Sequence, residues 1–336
     1  MAVTINDVAK LAGVSPSTVS RTCKNHYSIS EKTKEKVRKA MEELGYEYSI
    51  QSHSKVHSIG IIFPKYHKET GFENPFYLEA IRGITSHCNQ HNCIVTIISG
   101  NNTAELMKSL HMSKADGFIF LYSNLDDALI NFMYKEHLIF VLIGKATQSI
   151  NETIYVDNDN VQAAKECCEY LMELGHNKIG YIGTDQNKVF SIDRFTGYKL
   201  SLLEHDIPFQ EKYTISFTND DRENEVKLKR LLIQPDRPTA FLVCDDYFAL
   251  SVEKYISDIR LKVPNDISLI AFNNSILSKM MHPQLTSIDV NAYQLGIEAT
   301  SQLIKHIENP ELSPTKIIVP YKLIKRSSCK QILITE

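Results

Sequence analysis

The chain contains 336 residues, of which 43% are hydrophobic, and carries a formal net charge of −3 at pH 7. Because one hydrophobic core rarely grows beyond about 250–300 residues, we expect two or three domains. The longest apolar runs, such as "FIFL" and "FVLI", are far shorter than the roughly 18 residues of a membrane span, and the N-terminus has no apolar signal region, so a cytoplasmic protein with no membrane partner is expected.

Charge is distributed unevenly along the chain. Residues 1–57 hold nine Lys and Arg against six Asp and Glu, a balance of +3, which leaves −6 for residues 58–336. A basic first segment on an acidic body is typical of a polyanion-binding domain. Many small helical domains are mildly basic, however, so charge favours nucleic-acid binding only weakly.

The first predicted element is a helix over residues 5–12. Thr4 followed three residues later by Asp7 resembles a capping box, which places the helix start directly after Thr4. The apolar side chains that follow at helical spacing are Ile5, Val8, Ala9 and Leu11. This spacing predicts an amphipathic helix with one buried face.

A turn and two further helices are predicted next. Gly13 stands where a helix C-terminus needs positive φ, and Ser15-Pro16 combines an N-cap with proline at the first helical position. Two helices joined by a turn of about three residues must cross each other. A third helix is expected to begin after the Ser30 cap and to end at Gly45. The pattern predicts a three-helix helix-turn-helix unit.

The second helix presents short hydroxyl side chains and one guanidinium to solvent. Such donors suit phosphate oxygens and the guanine edge in the major groove of DNA, and we predict that Ser17 and Arg21 read bases. Phosphate contacts are expected from Thr18, Ser20 and Lys24. The alternative is an ordinary helical hairpin whose hydroxyl groups only cap the helices. The complete set of predicted DNA contacts is Thr4, Ser15, Pro16, Ser17, Thr18, Ser20, Arg21, Lys24 and Ile50.

The stretch "TINDVAKLAGVSPSTVSR", with "SISEKTKEKVRKAMEELGY" after it, resembles the headpiece of the lactose-repressor/galactose-repressor family of bacterial transcription regulators. The resemblance implies a homodimer on palindromic operator DNA, because one short helix specifies only a few base pairs. The position of Pro16 reads bases in some relatives, so discrimination is expected to fall more heavily on Ser17 and Arg21.

From residue 58 onward, short apolar strands alternate with amphipathic helices. The predicted strands are "SIGIIFP", "CIVTIIS", "GFIFL", "FVLIGK", "KIGYIG", "TAFLVCDD" and "SLIAFN", and the helices include "PFYLEAIRGITSHCNQH", "VQAAKECCEYLMELG" and "DRFTGYKLSLLEH". This βαβ series predicts parallel sheets covered on both faces. The expected fold is thus an all-α three-helix headpiece plus an α/β core of two doubly wound parallel-sheet lobes.

The resemblance continues through the core in segments such as "NPFYLEAIRGI", "VDNDNVQAA" and "LTSIDVNAYQLGIEA". It implies a periplasmic-binding-protein-like core that dimerises and holds a small effector between its lobes. The expected divisions are a headpiece over residues 1–48, a linker over 49–57 and a core over 58–330. Within the core, the expected lobes are about 58–157 plus 289–318, and 158–288 plus 319–330.

Polar side chains follow several of the predicted strands, where ligands bind in open parallel sheets. Asp126 follows "FIFLYSNL", Asp245 and Asp246 end "FLVC", and Asn273 ends "LIAF". Together with an arginine and phenylalanines, these groups suit an uncharged polyhydroxylated ligand such as a sugar. The predicted effector contacts are Phe72, Phe76, Asp126, Arg194, Asp246 and Asn273. For Asp126 and Asn273 taken singly, a helix cap or surface loop role is the alternative.

The resemblance assigns roles to three of these positions. Arg194 and Asp246 match the most general effector contacts of the family, and Asp126 matches one used by sugar-responsive members. Asp245-Asp246 replaces the Asn-Asp of many members. The segments "IGK", "YVDNDNVQAA" and "SIDRFTGY" are most similar to members that regulate maltose operons, which implies a maltose-like effector.

The linker "EYSIQSHSKVHS" departs from the family pattern. Members usually have a Pro-Asn, an Ala-Arg and a Leu that wedges into the minor groove of DNA. Here Tyr48 stands where proline is usual, Lys55 falls at the wedge leucine, and Ile50 is the only apolar candidate for a wedge. A flexible tether is therefore expected in place of the usual hinge helix.

Two other kinds of site are less favoured by the sequence. His87, Cys88, His91 and Cys93 have metal-like spacing, but Cys88 continues an apolar stripe and Cys93 begins a strand, so burial of reduced thiols is favoured. The sequence lacks the common nucleotide-loop, zinc-protease and serine-hydrolase motifs, so no cofactor and no enzymatic activity are expected. The alternative function is a sugar-binding or carbohydrate-acting protein with an accessory helical N-terminus.

Overall fold

The computed structural model describes residues 3–23, 29–46, 56–63, 73–98, 100, 102–218 and 220–332. The chain divides into two compact units, Met1–Val56 and His57–Glu336.

The described residues of the first unit form three helices, α1 (Ile5–Ala12), α2 (Pro16–Cys23) and α3 (Glu31–Leu44). The bounds of α1 and α3 are those predicted, and α2 begins at Pro16 as predicted. Gly13 ends α1 with a φ of 66°, in the left-handed region that glycine adopts without strain. The Asp7 carboxylate accepts a hydrogen bond from Thr4 N at 2.8 Å, and the Ser30 side chain caps α3 by accepting from Thr33 N. Local capping therefore fixes the ends of these helices.

A small apolar core joins the three helices. Its fully buried members are Val8, Ala9, Val19, Val37 and Ala40. Leu11, predicted on the buried face of α1, is 46% exposed, so that part of the prediction is wrong. It lies at the margin of the apolar stripe, whereas Val8 and Ala9 occupy its centre.

The described part of the second unit contains two six-stranded sheets. The first has the order β11-β5-β4-β3-β1-β2, and every strand pair in it is parallel. Its strands are β1 (Ser58–Ile62), β2 (Ile94–Ile98), β3 (Gly117–Phe120), β4 (Phe140–Ile143), β5 (Ile154–Asp157) and β11 (Lys316–Ile318). The helices that cover it are α4 (Pro75–Gln90), α5 (Thr103–Ser113), α6 (Ala128–Lys135) and α12 (Ala292–Glu308).

The second sheet has the order β12-β10-β9-β8-β6-β7, and only β12 runs antiparallel to its neighbour among the pairs described. Its strands are β6 (Ile179–Gly183), β7 (Thr214–Ser216), β8 (Ala240–Val243), β9 (Ser268–Phe272), β10 (Thr286–Asp289) and β12 (Lys322–Ile324). The helices around it are α7 (Asn160–Glu173), α8 (Val189–Glu204), α9 (Asp221–Leu232), α10 (Asp246–Asp258) and α11 (Ile276–Met280). A short 3₁₀ turn, Glu211–Tyr213, precedes β7.

Both sheets carry buried apolar clusters on their two faces. The doubly wound architecture predicted from the alternation of strands and helices is therefore confirmed. One boundary differs: α8 begins at Val189, four residues before the predicted "DRFTGYKLSLLEH" helix. We call the first sheet and its helices the first lobe, and the second sheet and its helices the second lobe.

The chain passes between the lobes near residues 158, 290 and 319. Asn158 ties these three crossings together, because its side-chain amide donates to Val290 O at 3.1 Å and to Val319 O at 2.8 Å. Val319 N in turn donates to Asp157 O at 2.8 Å. The crossings thus form one hydrogen-bonded hinge directly beneath the cleft between the lobes.

Candidate functional site

The headpiece surface predicted to face DNA is exposed on α2 and at its start. Thr4, Ser15, Pro16, Ser17 and Arg21 are exposed, and Thr18 and Ser20 are partly exposed. No salt bridge involves Arg21 among the residues that the structure describes.

Part of the hydroxyl cluster is engaged in the helix cap. Ser15 Oγ lies 2.8 Å from Ser17 Oγ and 2.9 Å from Thr18 Oγ1, and it accepts from Thr18 N at 3.2 Å. These hydroxyls therefore support the α2 start and still face solvent. Lys24 and Ile50, two further predicted DNA contacts, lie outside the described residues, as does most of the 49–57 linker.

A cavity lies between the lobes, at the C-terminal ends of the parallel strands, where α/β sheets bind ligands. Its empty space is about 690 Å³ with the open mouth included. The lining residues are Asn74, Phe76, Tyr77, Leu121, Tyr122, Ser123, Asn124, Ile143, Gly144, Asp157, Asn158, Asn160, Lys188, Phe190, Arg194, Asp245, Asn273 and Leu295. Three predicted contacts, Phe76, Arg194 and Asn273, are therefore brought together around one space.

Arg194 lies on α8 with only 5% of its surface exposed. Its Nε donates to Asn160 Oδ1 at 2.8 Å and its Nη1 donates to Cys244 O. Its guanidinium carbon lies 3.9 Å from the centre of the Phe272 ring and 4.8 Å from that of Phe190. These contacts orient the guanidinium plane, and within the described residues Nη2 has no protein acceptor, which leaves it available to a ligand.

Two buried carboxyl groups face this arginine. Burial raises the pKa of Asp157 to about 7, although its Oδ1 accepts from Asn158 N at 2.8 Å and from Asn160 Nδ2 at 3.1 Å. Burial also raises the pKa of Asp245 to about 6, against the opposing effect of the hydrogen bond from Phe248 N. Both groups can accept hydrogen bonds from ligand hydroxyls. Keeping either carboxylate ionised and buried without a partner costs free energy.

Asp246 does not line the cavity, contrary to its predicted effector contact. It is fully buried at the first position of α10, and its Oδ2 accepts from Ser275 N at 2.7 Å and from Ser278 Oγ at 2.8 Å. Asp245, by contrast, is the N-cap of α10 in an extended conformation, and it is among the residues that line the cavity. Asp246 instead anchors the turn that carries Asn273, whose φ is 90°.

Asp126 is also outside the cavity. Its side chain is exposed and accepts from Gln148 Nε2 at 3.2 Å. The neighbouring Asp127 caps α6 instead, because its Oδ1 accepts from Leu129 N at 2.8 Å. The direct effector contact predicted for Asp126 is therefore not supported, and Phe72 lies outside the described residues.

Several lining residues were not predicted from the sequence. Asp157 ends β5 in the segment "YVDNDN", and Asn158 and Asn160 follow it. These polar residues stand at a strand end, as the predicted contacts do. Lys188 and Asn74 are the N-cap residues of α8 and α4. Their exposure to the cleft depends on how the lobes face each other, which strand patterns do not encode.

The residues with metal-like spacing, His87, Cys88, His91 and Cys93, do not form a recognisable metal site in the described part of the chain. Cys88 and Cys93 are buried, burial raises the pKa of the Cys88 thiol to about 12, and the His87 and His91 rings stack with centres 4.2 Å apart. No group of three or more potential metal ligands was found among the described residues. Nor does any helix there combine the length and apolarity needed to cross a membrane.

Family models and individual relatives point to the same protein family. Residues 4–49 match the model of bacterial regulatory proteins of the lacI family, and residues 168–329 match a periplasmic binding protein-like domain. The HTH-type transcriptional regulator MalR of Streptococcus pneumoniae is 31% identical over 342 residues, which cover 97% of this chain and 100% of the relative.

Two solved structures show the same architecture. A LacI transcriptional regulator from Bacillus cereus is 34% identical, with a TM-score of 0.78, and the match covers 83% of this chain and 100% of that one. A probable maltose operon transcriptional repressor from Staphylococcus is 26% identical, with a TM-score of 0.74 and coverage of 82% and 98%. The chain belongs to the lacI family of bacterial regulatory proteins, which are DNA-binding transcriptional repressors and not enzymes.

Proposed function

We propose that this protein represses a carbohydrate-utilisation operon and that a neutral saccharide, with maltose favoured, binds in the cleft and switches its DNA affinity. The observation that carries the proposal is the composition of the cavity. One buried arginine, two buried carboxyl groups and several amides surround a space bounded by aromatic rings. Hydroxyl groups both donate and accept hydrogen bonds, so a polyol satisfies donors and acceptors of this kind at the same time.

The charges favour a neutral ligand over a phosphorylated one. Arg194 and Lys188 are opposed by Asp157 and Asp245 in the same lining. A phosphate group would bring up to two negative charges next to the two carboxyl groups, and in a low-dielectric cleft such like-charge contacts are costly. A sugar adds no charge and can accept from Arg194 while donating to Asp245.

Aromatic rings supply the apolar part of the site. Phe76 and Phe190 line the cavity, and Phe76 packs edge-on against Tyr77 with ring centres 5.4 Å apart. Ring faces held in this way can pack against the C–H face of a pyranose. The similarity to a probable maltose operon repressor and the segments "IGK", "YVDNDNVQAA" and "SIDRFTGY" favour an α-linked glucose disaccharide among possible sugars.

The headpiece supports recognition of a palindromic operator by a homodimer. Ser17 and Arg21 are exposed on α2, where a recognition helix places its base-reading side chains, and the nearby Thr18 and Ser20 suit phosphates. One such helix specifies few base pairs, so two headpieces are needed for a specific site. Binding of the effector would shift the population between lobe arrangements with different DNA affinities.

The DNA half of the proposal is tested by gel-shift titration at two salt concentrations. A palindromic site selected from random sequence should bind with a steep salt dependence, and Arg21→Ala should weaken specific binding at least about tenfold. Lys10→Ala, an exposed change on α1, is the matched control for loss of a positive charge. Equal affinities of wild type and Arg21→Ala would remove Arg21 from the recognition surface.

The effector half is tested by calorimetry with a panel of ligands. Maltose, a glucose phosphate and a purine are titrated separately into the full-length protein, and the bound ligand is then added to the operator complex. Maltose should bind and change operator affinity, whereas the glucose phosphate should bind more weakly because of its charge. Tight binding of the phosphate or the purine would contradict the proposed ligand class.

A further inference from the structure

We propose that a main-chain latch across the cleft selects saccharides by their length, a proposal that rests on the saccharide-responsive function proposed for this cleft. The latch consists of residues 123–125, which follow β3 in the first lobe, and residues 187–189, which lead into α8 in the second lobe. It joins the two lobes beside the ligand cavity. Its residues are separate in the sequence from the three hinge crossings near residues 158, 290 and 319.

Main-chain hydrogen bonds hold the latch closed. Leu125 N donates to Asn187 O at 2.9 Å, and Val189 N donates to Ser123 O at 3.1 Å. The two segments run antiparallel, as in a minimal β-bridge. Because backbone groups make these bonds, opening the latch exposes four polar groups that must find new partners.

The latch borders two cavities. We call the candidate effector site the inner cavity and a neighbouring space of about 440 Å³, open mouth included, the outer cavity. Tyr122, Asn124 and Lys188 line both spaces, and Asn124 and Lys188 are the paired residues of the bridge. The latch therefore lies where the linings of the two cavities meet.

The outer cavity is polar and can accommodate part of a saccharide. Its lining residues are Thr103, Leu106, Tyr122, Asn124, Asp127, Leu129, Asp185 and Lys188. Because Tyr122, Asn124 and Lys188 line both spaces, a linear saccharide that passes from the inner cavity into this one meets the bridge and displaces it. A ligand confined to the inner cavity leaves both main-chain bonds intact.

The consequence is a preference for short ligands. Each main-chain hydrogen bond that a longer saccharide breaks is expected to cost about fivefold in affinity, since a net bond of this kind contributes modestly to stability. We expect maltose to bind more tightly than maltotriose, even though maltotriose offers one more ring for contact. Weakening the latch should reduce this difference selectively.

Val189→Pro is a suitable test because it removes one latch donor without breaking a helix. Val189 is the first residue of α8, where proline is tolerated, and its N–H bonds to Ser123 O instead of within the helix. The preceding Lys188 has φ −80° and ψ 122°, the extended conformation that a residue before proline prefers. Val189→Ala is the matched control, since it removes side-chain packing at the same buried position but keeps the N–H.

Calorimetry with maltose and maltotriose on the full-length variants gives the readout. The ratio of the maltotriose Kd to the maltose Kd should fall about fivefold in Val189→Pro and stay within about twofold of wild type in Val189→Ala. If thermal unfolding shows that Val189→Pro is not folded, Leu125→Pro removes the other donor from an exposed position and replaces it in the experiment.

The outcomes separate the two proposals. If the saccharides bind but the Kd ratio is unchanged in the folded proline variant, the latch does not select length and the effector proposal stands. A wild-type preference for maltotriose over maltose likewise overturns the latch. If wild type binds neither saccharide, the effector proposal fails and the latch proposal fails with it.

Discussion

Asp245→Asn changes the cavity while preserving the local fold. Asp245 Oδ1 caps α10 by accepting from Phe248 N at 2.8 Å, and asparagine is an equally good N-cap. The other oxygen, Oδ2, lies 3.4 Å from Asn74 Nδ2 of the first lobe, at the cleft. The substitution therefore removes a negative charge from the cavity wall and leaves the helix start in place.

The expected loss follows from the chemistry of the removed group. A hydrogen bond to a charged partner contributes about 1.5–3 kcal/mol, which corresponds to about a 10- to 150-fold increase in Kd. The full effect requires an ionised carboxylate in wild type. Because burial raises the pKa of Asp245 to about 6, the comparison is made at pH 7.5, where the carboxylate predominates. Wild-type affinity should then fall toward that of Asp245→Asn as the pH drops through about 6.

Asp246→Asn is the control, because it changes the neighbouring residue in the same way. The Asp246 Oδ2 accepts from Ser275 N and Ser278 Oγ, whereas its buried Oδ1 has no partner among the described residues. An amide oxygen can keep both bonds, but the new NH₂ group is buried without an acceptor, at a cost of about 1–3 kcal/mol of stability. Its expected effect is on unfolding, with maltose affinity within about threefold of wild type.

Isothermal titration calorimetry with maltose and urea denaturation of both variants provide the assay. The two variants should separate, with Asp245→Asn losing affinity and Asp246→Asn losing stability. The opposite pattern, in which Asp246→Asn loses maltose binding and Asp245→Asn retains it, would refute the assignment of the cavity wall to Asp245.

Three further predictions concern the framework of the site. Gly83→Ala should lower the free energy of unfolding by about 1–3 kcal/mol in urea denaturation, because the added Cβ would lie 2.0 Å from Tyr293 O where α4 and α12 cross; unchanged stability would contradict this close packing. Burial raises the pKa of Asp157 to about 7, so the folded state keeps a proton that the unfolded state releases near pH 4, and wild-type stability falls as the pH rises from about 4 to about 7. Asp157→Asn should flatten that decline and exceed wild-type stability at pH 8 in denaturation at several pH values, and parallel pH profiles would count against it. Asn158→Ala should cost about 2 kcal/mol and increase hydrogen exchange at the hinge, because two buried carbonyls lose their donor; exchange identical to wild type would show that the hinge does not depend on this amide.

Local signals made the headpiece predictable from sequence. The ends of α1 and α3 depend on Gly13 and Gly45, whose φ values are positive, and on caps only three residues away from their partners. Strand positions in the core were equally accessible, because buried parallel strands are short apolar runs. Leu11 was the exception in the headpiece, since it lies at the margin of the apolar stripe of α1 and is exposed.

The effector site was only partly predictable. Phe76, Arg194 and Asn273 were identified from strand ends and family resemblance, and they line the cavity. Asp126 and Asp246 were selected on the same grounds, yet one faces solvent and the other is buried beneath a turn. Strand-end position shows that a residue is near the cleft, but it does not give the direction of its side chain.

By itself, the sequence determined the kind of protein this is: a capped helix-turn-helix unit, two doubly wound lobes and the strand ends that border a ligand cleft. These features depend on interactions between residues close together in the chain. Only the tertiary structure decided that Asp245 and not Asp246 faces the cleft, that Asp157 and Asn160 surround Arg194, and that a latch crosses beside them. Each of these depends on groups that are 29 or more residues apart in the chain and that only packing of the elements brings together.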